Sequence, residues 1–235
     1  TARGVPDKYQ RARDGADHLA AYLREQIEQR RRAPTDDVIT RMMQAEDEQG
    51  KLGEDELIAM CLLILFGGHE TTTSLLGSSV AALLAHPSQW TLLRDTPELM
   101  PSAVEEFLRY DGPSHSIARV VTESMTWGGQ HMKAGDRVFA MVGAANRDPR
   151  AFDRPDALDI TRSPNRHLTF GQGIHFCLGA PLARLEAQVC IQAMVSGFDR
   201  WALDGSEDQA IDWLDAMVMR GPTRLQMRLE NTSQT

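Results

Sequence analysis

Cysteine is scarce in the 235 residues. Cys61, Cys177 and Cys190 are odd in number and sit in apolar helical contexts or a glycine-rich loop, which suits a reducing cytoplasm and not a disulfide framework. No spacing of a structural metal cluster occurs. Basic residues are also in the minority, 25 Lys and Arg against 33 Asp and Glu. The formal net charge of -8 argues against nucleic acid as a partner, and any basic docking surface has to be local. Long apolar runs are lacking too. Leu62 to Phe66 and its neighbours fall far short of a membrane span and are followed by His69 and Glu70. No membrane span and no signal peptide are therefore expected. Thr1 is not a methionine, so the chain is expected to begin inside a longer gene product or after processing, with an upstream anchor left open.

What is present reads as one soluble globular domain over 1–235, mainly α with small antiparallel β-sheets. From Asp7 to Arg32, Ala16, Leu19, Tyr22, Leu23 and Ile27 recur at spacings of three and four, the pattern of an amphipathic helix ended by Pro34. A shorter helix is expected over Asp36 to Ala45, then a polar connector from Glu46 to Gly53. Asp55 to Ala85 is the longest helical pattern. It is apolar nearly all round in its first half, which predicts a path through the interior. Helices are further expected over Ser88 to Asp95, Pro97 to Tyr110 and Ala180 to Gly197. Ile117 to Val121 and Arg137 to Val142 read as strands, 146–155 as a proline-rich meander, and the tail as short strands.

The chemistry is expected at Phe170 to Gly179. Cys177 stands on a glycine-rich turn just before a helix, where backbone N–H groups and the positive end of the helix dipole favour a thiolate. Gly171, Gly173 and Gly179 permit a tight turn and close approach of a bulky flat group, while Phe170 and Phe176 supply apolar cover. A buried free cysteine in an ordinary loop is the competing reading. The spacing Phe-x-x-Gly-x-x-x-Cys-x-Gly, on Phe170, Gly173, Cys177 and Gly179, resembles the haem-binding loop of the cytochromes P450, the haem-thiolate monooxygenases.

A second match lies inside the long helix. Gly67-Gly68-His69-Glu70-Thr71 places two glycines where each costs roughly 1 kcal/mol against alanine, so room for a ligand or a local distortion should offset them. The segment resembles the family's oxygen-activating motif, carried here by Gly67, Gly68, Glu70 and Thr71. The resemblance implies that Thr71 and Glu70 hold a water and relay protons to the reacting oxygen, with Cys177 as the iron ligand on the opposite face. Glu106 and Arg109, three apart on one helical face, resemble the family's Glu-x-x-Arg pair, with Arg162 as its third member in a structural role. The resemblance also implies that Arg119 and His175 contact the haem propionates. His167 is a further candidate beside its reading as a loop histidine. Ile117 and Val218, with Gly67 and Gly68, line the substrate side.

The resemblance covers essentially the whole chain and is to soluble bacterial members, as their C-terminal part alone; nothing matches the N-terminal helices that roof the pocket. The cofactor implied is haem b, iron protoporphyrin IX. The function implied is insertion of one oxygen atom from dioxygen into an apolar organic substrate, with electrons from a separate ferredoxin. A truncated haem-binding or haem-free module without turnover is the alternative; peroxide-driven oxidation is disfavoured by Thr71.

Overall fold

A computed structural model describes residues 7–49 and 53–231, without the side chains of residues 46–49. It divides into two compact units, Thr1–His69 and Glu70–Thr235, and the boundary falls inside one helix.

The first unit holds α1 (Lys8–Arg32), α2 (Val38–Gln49) and the beginning of α3 (Glu54–Ala85). Leu19, Leu23 and Ile27 form the stripe of α1 and pack with Leu57, Ile58 and Cys61 of α3 and with Ile39, Met42 and Met43 of α2. Ala16 and Tyr22 fall outside that stripe and are exposed. Asp37 caps α2, accepting the Thr40 N–H at 2.8 Å and Arg30 Nε at 2.8 Å. The Thr40 amide, Arg30 and Thr35 all favour its charged form, holding the Asp37 carboxyl well below the usual range. α2 extends into the stretch expected as a connector, and residues 50–52 of that stretch lie outside the described residues.

The expectation that the first half of α3 runs through the interior is not met. Leu63, Ile64, Leu65 and Phe66 are 63%, 43%, 49% and 64% exposed. A helix apolar on every side needs partners on every side, and within its unit α3 packs through Leu57, Ile58 and Cys61. Taken whole, α3 is also long and apolar enough to cross a membrane by length and composition, although its longest apolar run is short. Its second half is instead core, with Leu75, Val80, Ala81, Ala82 and Leu83 buried.

The second unit is built around α5 (Met100–Asp111), which follows α4 (Pro87–Asp95) and a 3₁₀ turn, and α7 (Ala180–Gly197). Met100, Ala103, Val104, Phe107 and Leu108 of α5 meet Ala187, Ile191 and Val195 of α7, Leu93 of α4, Leu75 and Leu83 of α3, and Leu158 and Ile160. Four two-stranded antiparallel sheets occur among the described residues. β1 (Ile117–Val120) pairs with β4 (Arg137–Ala140), Arg119 opposite Val138, and β2 (Met125–Trp127) pairs with β3 (Gln130–Met132). After the one-turn helix α6 (Val142–Ala145) and α7, β5 (Arg200–Leu203) pairs with β8 (Met227–Glu230). β6 (Ile211–Trp213), entered from the one-turn α8 (Glu207–Ala210), pairs with β7 (Pro222–Leu225). The chain before β7 returns to the start of β1: His115 N–H donates to Val218 O at 2.9 Å, and Arg220 N–H to Pro113 O at 2.9 Å.

Candidate functional site

The loop around Cys177 takes its shape from three backbone hydrogen bonds. Gly171 N–H donates to Leu168 O (2.8 Å), Phe176 N–H to Gly173 O (3.0 Å) and Cys177 N–H to Phe170 O (2.9 Å). Gly171 and Gly173 take φ of 72° and 71°, left-handed values that a Cβ disfavours. The thiol is in no disulfide and is half-buried. A Cβ on Gly179 would lie 3.9 Å from Cys177 Sγ, so the sulfur rests against the residue that caps α7. The amides of Leu178 and Gly179 have no partner among the described residues. They leave two N–H donors one and two residues beyond the sulfur, whereas in the first turn of α7 the Ala180 N–H is spent on Cys177 O (3.3 Å) and Pro181 has none.

Around that sulfur the surface is apolar, with Ile174, Phe176 and Leu178 at 98%, 52% and 89% exposure. Three large apolar side chains exposed within five residues suit a contact surface. A free soft ligand, idle amide donors and an apolar frame are the donor set for an iron macrocycle held by thiolate, and the residues present fit haem. Two exposed side chains, Arg119 and His175, can donate hydrogen bonds to its carboxylates. Arg119 spends one Nη1 bond on Ala118 O (2.9 Å) and has no carboxylate partner among the described residues. His175 ends a 3₁₀ turn and is exposed.

His167 stands differently. Its side chain is 3% exposed, with Nε2 3.0 Å from Glu105 Oε2 and Nδ1 accepting the Thr169 N–H at 3.3 Å. Both ring nitrogens are taken inside the protein, which makes His167 a support of the loop. Beside it, buried Asn146 donates Nδ2–H to Thr169 Oγ1 (2.9 Å) and accepts the Leu168 N–H (2.8 Å), while Thr169 Oγ1 donates to Leu108 O (2.6 Å). These bonds pin the chain entering the loop to the end of α5.

Glu106, Arg109 and Arg162 are brought together in the interior. Arg109 donates Nε and Nη2 to the two Glu106 oxygens at 2.8 Å each. Its other N–H groups go to the carbonyls of Asn146 (2.9 Å), Pro155 (2.7 Å) and Ala157 (2.9 Å). All five guanidinium donors are thus spent. Glu106 also accepts Arg162 Nε (3.1 Å), the Asp159 N–H (2.9 Å) and Asn165 Nδ2 (3.0 Å). The aperiodic segment 146–162 is held by these side chains in place of a ladder.

Glu70, exposed, and Thr71, half-buried, are the first residues of the second unit. Gly67 and Gly68 close the first unit together with His69, and a Cβ on either glycine would meet nothing within 4 Å. Ile117 is half-buried on β1 opposite Ala140, and Val218 is 38% exposed. A cavity of about 390 Å³ has Tyr110, Asp111, His115, Arg147 and Arg220 in its wall. Its charges are already matched: Asp111 takes His115 (3.4 Å) and Arg220 (3.3 Å), and Arg147 donates to Tyr110 O (2.7 Å) while stacking on the Tyr110 ring.

A cytochrome P450 family model matches residues 3–95 and 94–229, nearly the whole chain. The chain belongs to the cytochrome P450 family. The polyketide biosynthesis cytochrome P450 PksS of Bacillus subtilis is 44% identical over 209 residues, 88% of this chain and 51% of PksS. The 6-deoxyerythronolide B hydroxylase of Saccharopolyspora erythraea is 36% identical over 226 residues, 96% of this chain and 56% of the hydroxylase. The solved structure of PksS superposes with a TM-score of 0.92 at 39% identity, over 98% of this chain and 59% of that one. A myxobacterial cytochrome P450, CYP267B1, solved with myristic acid, gives 0.93 at 40%, over 98% and 57%. The fold, mainly α with small antiparallel sheets, is therefore that of a bacterial cytochrome P450, and the chain spans about half the length of the curated relatives it matches.

Sequence reasoning passed over Glu105 and Arg184 in this cytochrome P450. Both stand close to motif residues, Glu105 beside Glu106 and Arg184 seven residues after Cys177. Only the structure shows that they pair.

Proposed function

We propose that this chain is the C-terminal, haem-binding part of a cytochrome P450 monooxygenase that inserts one oxygen atom from dioxygen into an apolar organic substrate. The observation that carries the reading is the free Cys177 thiol at the start of α7, framed by Ile174, Phe176 and Leu178 and by idle amides. Haem b, when bound, supplies the dioxygen activation and electron-accepting chemistry that amino acids lack. Cys177 is the thiolate ligand, with the idle amides of Leu178 and Gly179 next to it in the chain. Arg119 and His175 bind the propionates. Thr71 and Glu70 hold a water and hand protons inward at the Thr71 hydroxyl. Gly67 and Gly68 leave space beside α3 for substrate, with Ile117 and Val218 as apolar wall. Electrons come from a separate ferredoxin, and the location is cytoplasmic.

The exposed run Leu63 to Phe66 on α3, and a stripe of Leu178, Leu182, Leu185 and Val189 leading into and along α7, belong in this reading to surfaces that N-terminal helices of the longer enzyme cover. The stripe's residues are 89%, 59%, 57% and 59% exposed at helical spacing. Those same surfaces favour a second reading, a haem-binding or haem-free module without turnover.

Replacing Cys177 with alanine is expected to abolish the red-shifted Soret band of the reduced carbon monoxide adduct. An unchanged band would refute the ligand assignment. Haem content, followed by substrate oxidation with a surrogate ferredoxin and reductase, separates the two readings: haem without turnover selects the second.

A further inference from the structure

Next to the Cys177 loop, Glu105 of α5 is clamped between side chains from two other segments. Arg184 of α7 donates Nε to Oε1 at 2.6 Å and Nη2 to Oε2 at 2.9 Å, a bidentate pair, and His167 Nε2 meets Oε2 at 3.0 Å. The same guanidinium lies over the Phe170 ring, its carbon 4.5 Å from the centroid. Phe170 is the residue whose carbonyl closes the loop onto the Cys177 amide. The side chains of Arg184 and Glu105 are 31% and 26% exposed, so water screens them only in part. The hydrogen bonds that Arg184 donates to Glu105 hold its proton against the cost of burial, and the charge of Glu105 adds to them.

We propose that Arg184, anchored by Glu105, is a fixed positive charge on the sulfur side of the site that weakens electron donation by Cys177 and sets the reduction potential of the bound haem. This rests on the haem-thiolate reading above. Reduction adds one electron to the unit formed by haem and thiolate. A nearby cation stabilises that more negative state, and a nearby anion opposes it. Arg184 and Glu105 therefore push in opposite directions, and both are positioning residues. Removing the guanidinium should lower the potential, and neutralising the carboxylate should raise it. A pair that served packing alone would yield no such reversal of sign.

The test is a spectroelectrochemical titration of the haem-loaded chain. Arg184→Leu is expected to make reduction about threefold less favourable and Glu105→Gln about threefold more favourable, each about 28 mV at about 59 mV per tenfold for one electron. The double variant should return towards the parent value. Arg184→Lys, which keeps the charge without the fork, should stay within half of the leucine shift, and Glu105→Gln serves as the reporter if the leucine variant fails to bind haem. In the carbon monoxide adduct the C–O stretch should fall in Arg184→Leu, following stronger sulfur donation. Shifts of the same sign in the two single variants overturn the proposal, as do unchanged potentials or a change confined to affinity for the electron donor. Absence of the red-shifted Soret band in the parent chain would instead overturn the haem-thiolate reading itself.

Discussion

Replacing Arg109 with methionine should cost about 4 kcal/mol, because breaking one side of a buried ion pair typically costs about 3 to 5 kcal/mol. The structure shows why the upper range for a single side chain applies. Arg109 and Glu106 have side chains that are 0% exposed, so neither water nor a shifted rotamer can replace the lost bonds. Removal deprives Glu106 of its bidentate partner, leaves the carbonyls of Asn146 and Pro155 short of a donor, and leaves Ala157 O with only Arg162 Nη2 at 3.4 Å. Orphaned buried groups cost about 1 to 3 kcal/mol apiece, and Arg162, which still reaches Glu106 at 3.1 Å, keeps the total from summing to more. The assay is urea unfolding followed by fluorescence of the four tryptophans and by circular dichroism. With a slope of about 2.5 kcal/mol/M the midpoint should fall by about 1.6 M. Adding Glu106→Gln should cost clearly less than the sum of the two single losses, since both variants disrupt one network. A midpoint shift below about 0.4 M would refute the reasoning, because losses under about 1 kcal/mol belong to solvated pairs.

Glu105 offers a pH test. Burial opposes its ionisation, but the hydrogen bonds it accepts from Arg184 and His167 and the charge of Arg184 win and hold its carboxyl down to about 2. The unfolded value is about 4.3, so the stabilisation from this carboxylate is complete above that pH and disappears as pH falls towards about 2. Urea midpoints at pH 5, 3.5 and 2.5 should decline less steeply in Glu105→Gln than in the parent, and parallel slopes would count against the clamp. Gly221→Ala should destabilise by about 1 to 3 kcal/mol through overpacking, since its Cβ would stand 2.9 Å from Ser74 Cα on the backbone of α3. Retention of the parent melting temperature would refute the close approach of Gly221 to α3.

Much of the helical frame was legible because it obeys local rules. α1 repeats Leu19, Leu23 and Ile27 every four residues, and proline marks the ends of α1 and α3. The cysteine loop was legible for a different reason: glycines at Gly171 and Gly173 are needed wherever the chain must turn left-handed, so the spacing records geometry. The exposure of Leu63 to Phe66 was not legible. Periodicity reports that a face is apolar and not which body covers it. Strands of three and four residues such as β2 and β6 are too short for alternation to declare itself, and the one-turn helices α6 and α8 depend on their neighbours. The pairing of Glu105 with Arg184 was hidden by its separation along the chain. Two ordinary charged residues 79 positions apart carry no mark of mutual contact until α5 packs on α7.

The three backbone bonds that draw residues 168–177 into shape carry a thermodynamic consequence for cofactor uptake. Because Leu168, Phe170 and Gly173 already receive the amides of Gly171, Cys177 and Phe176, the conformational entropy of ordering the loop is charged to folding. Binding at such a preorganised site keeps more of its interaction free energy as affinity. In the haem-thiolate reading proposed above, replacing either left-handed glycine is expected to weaken and slow loading, even though neither glycine supplies an atom to the iron.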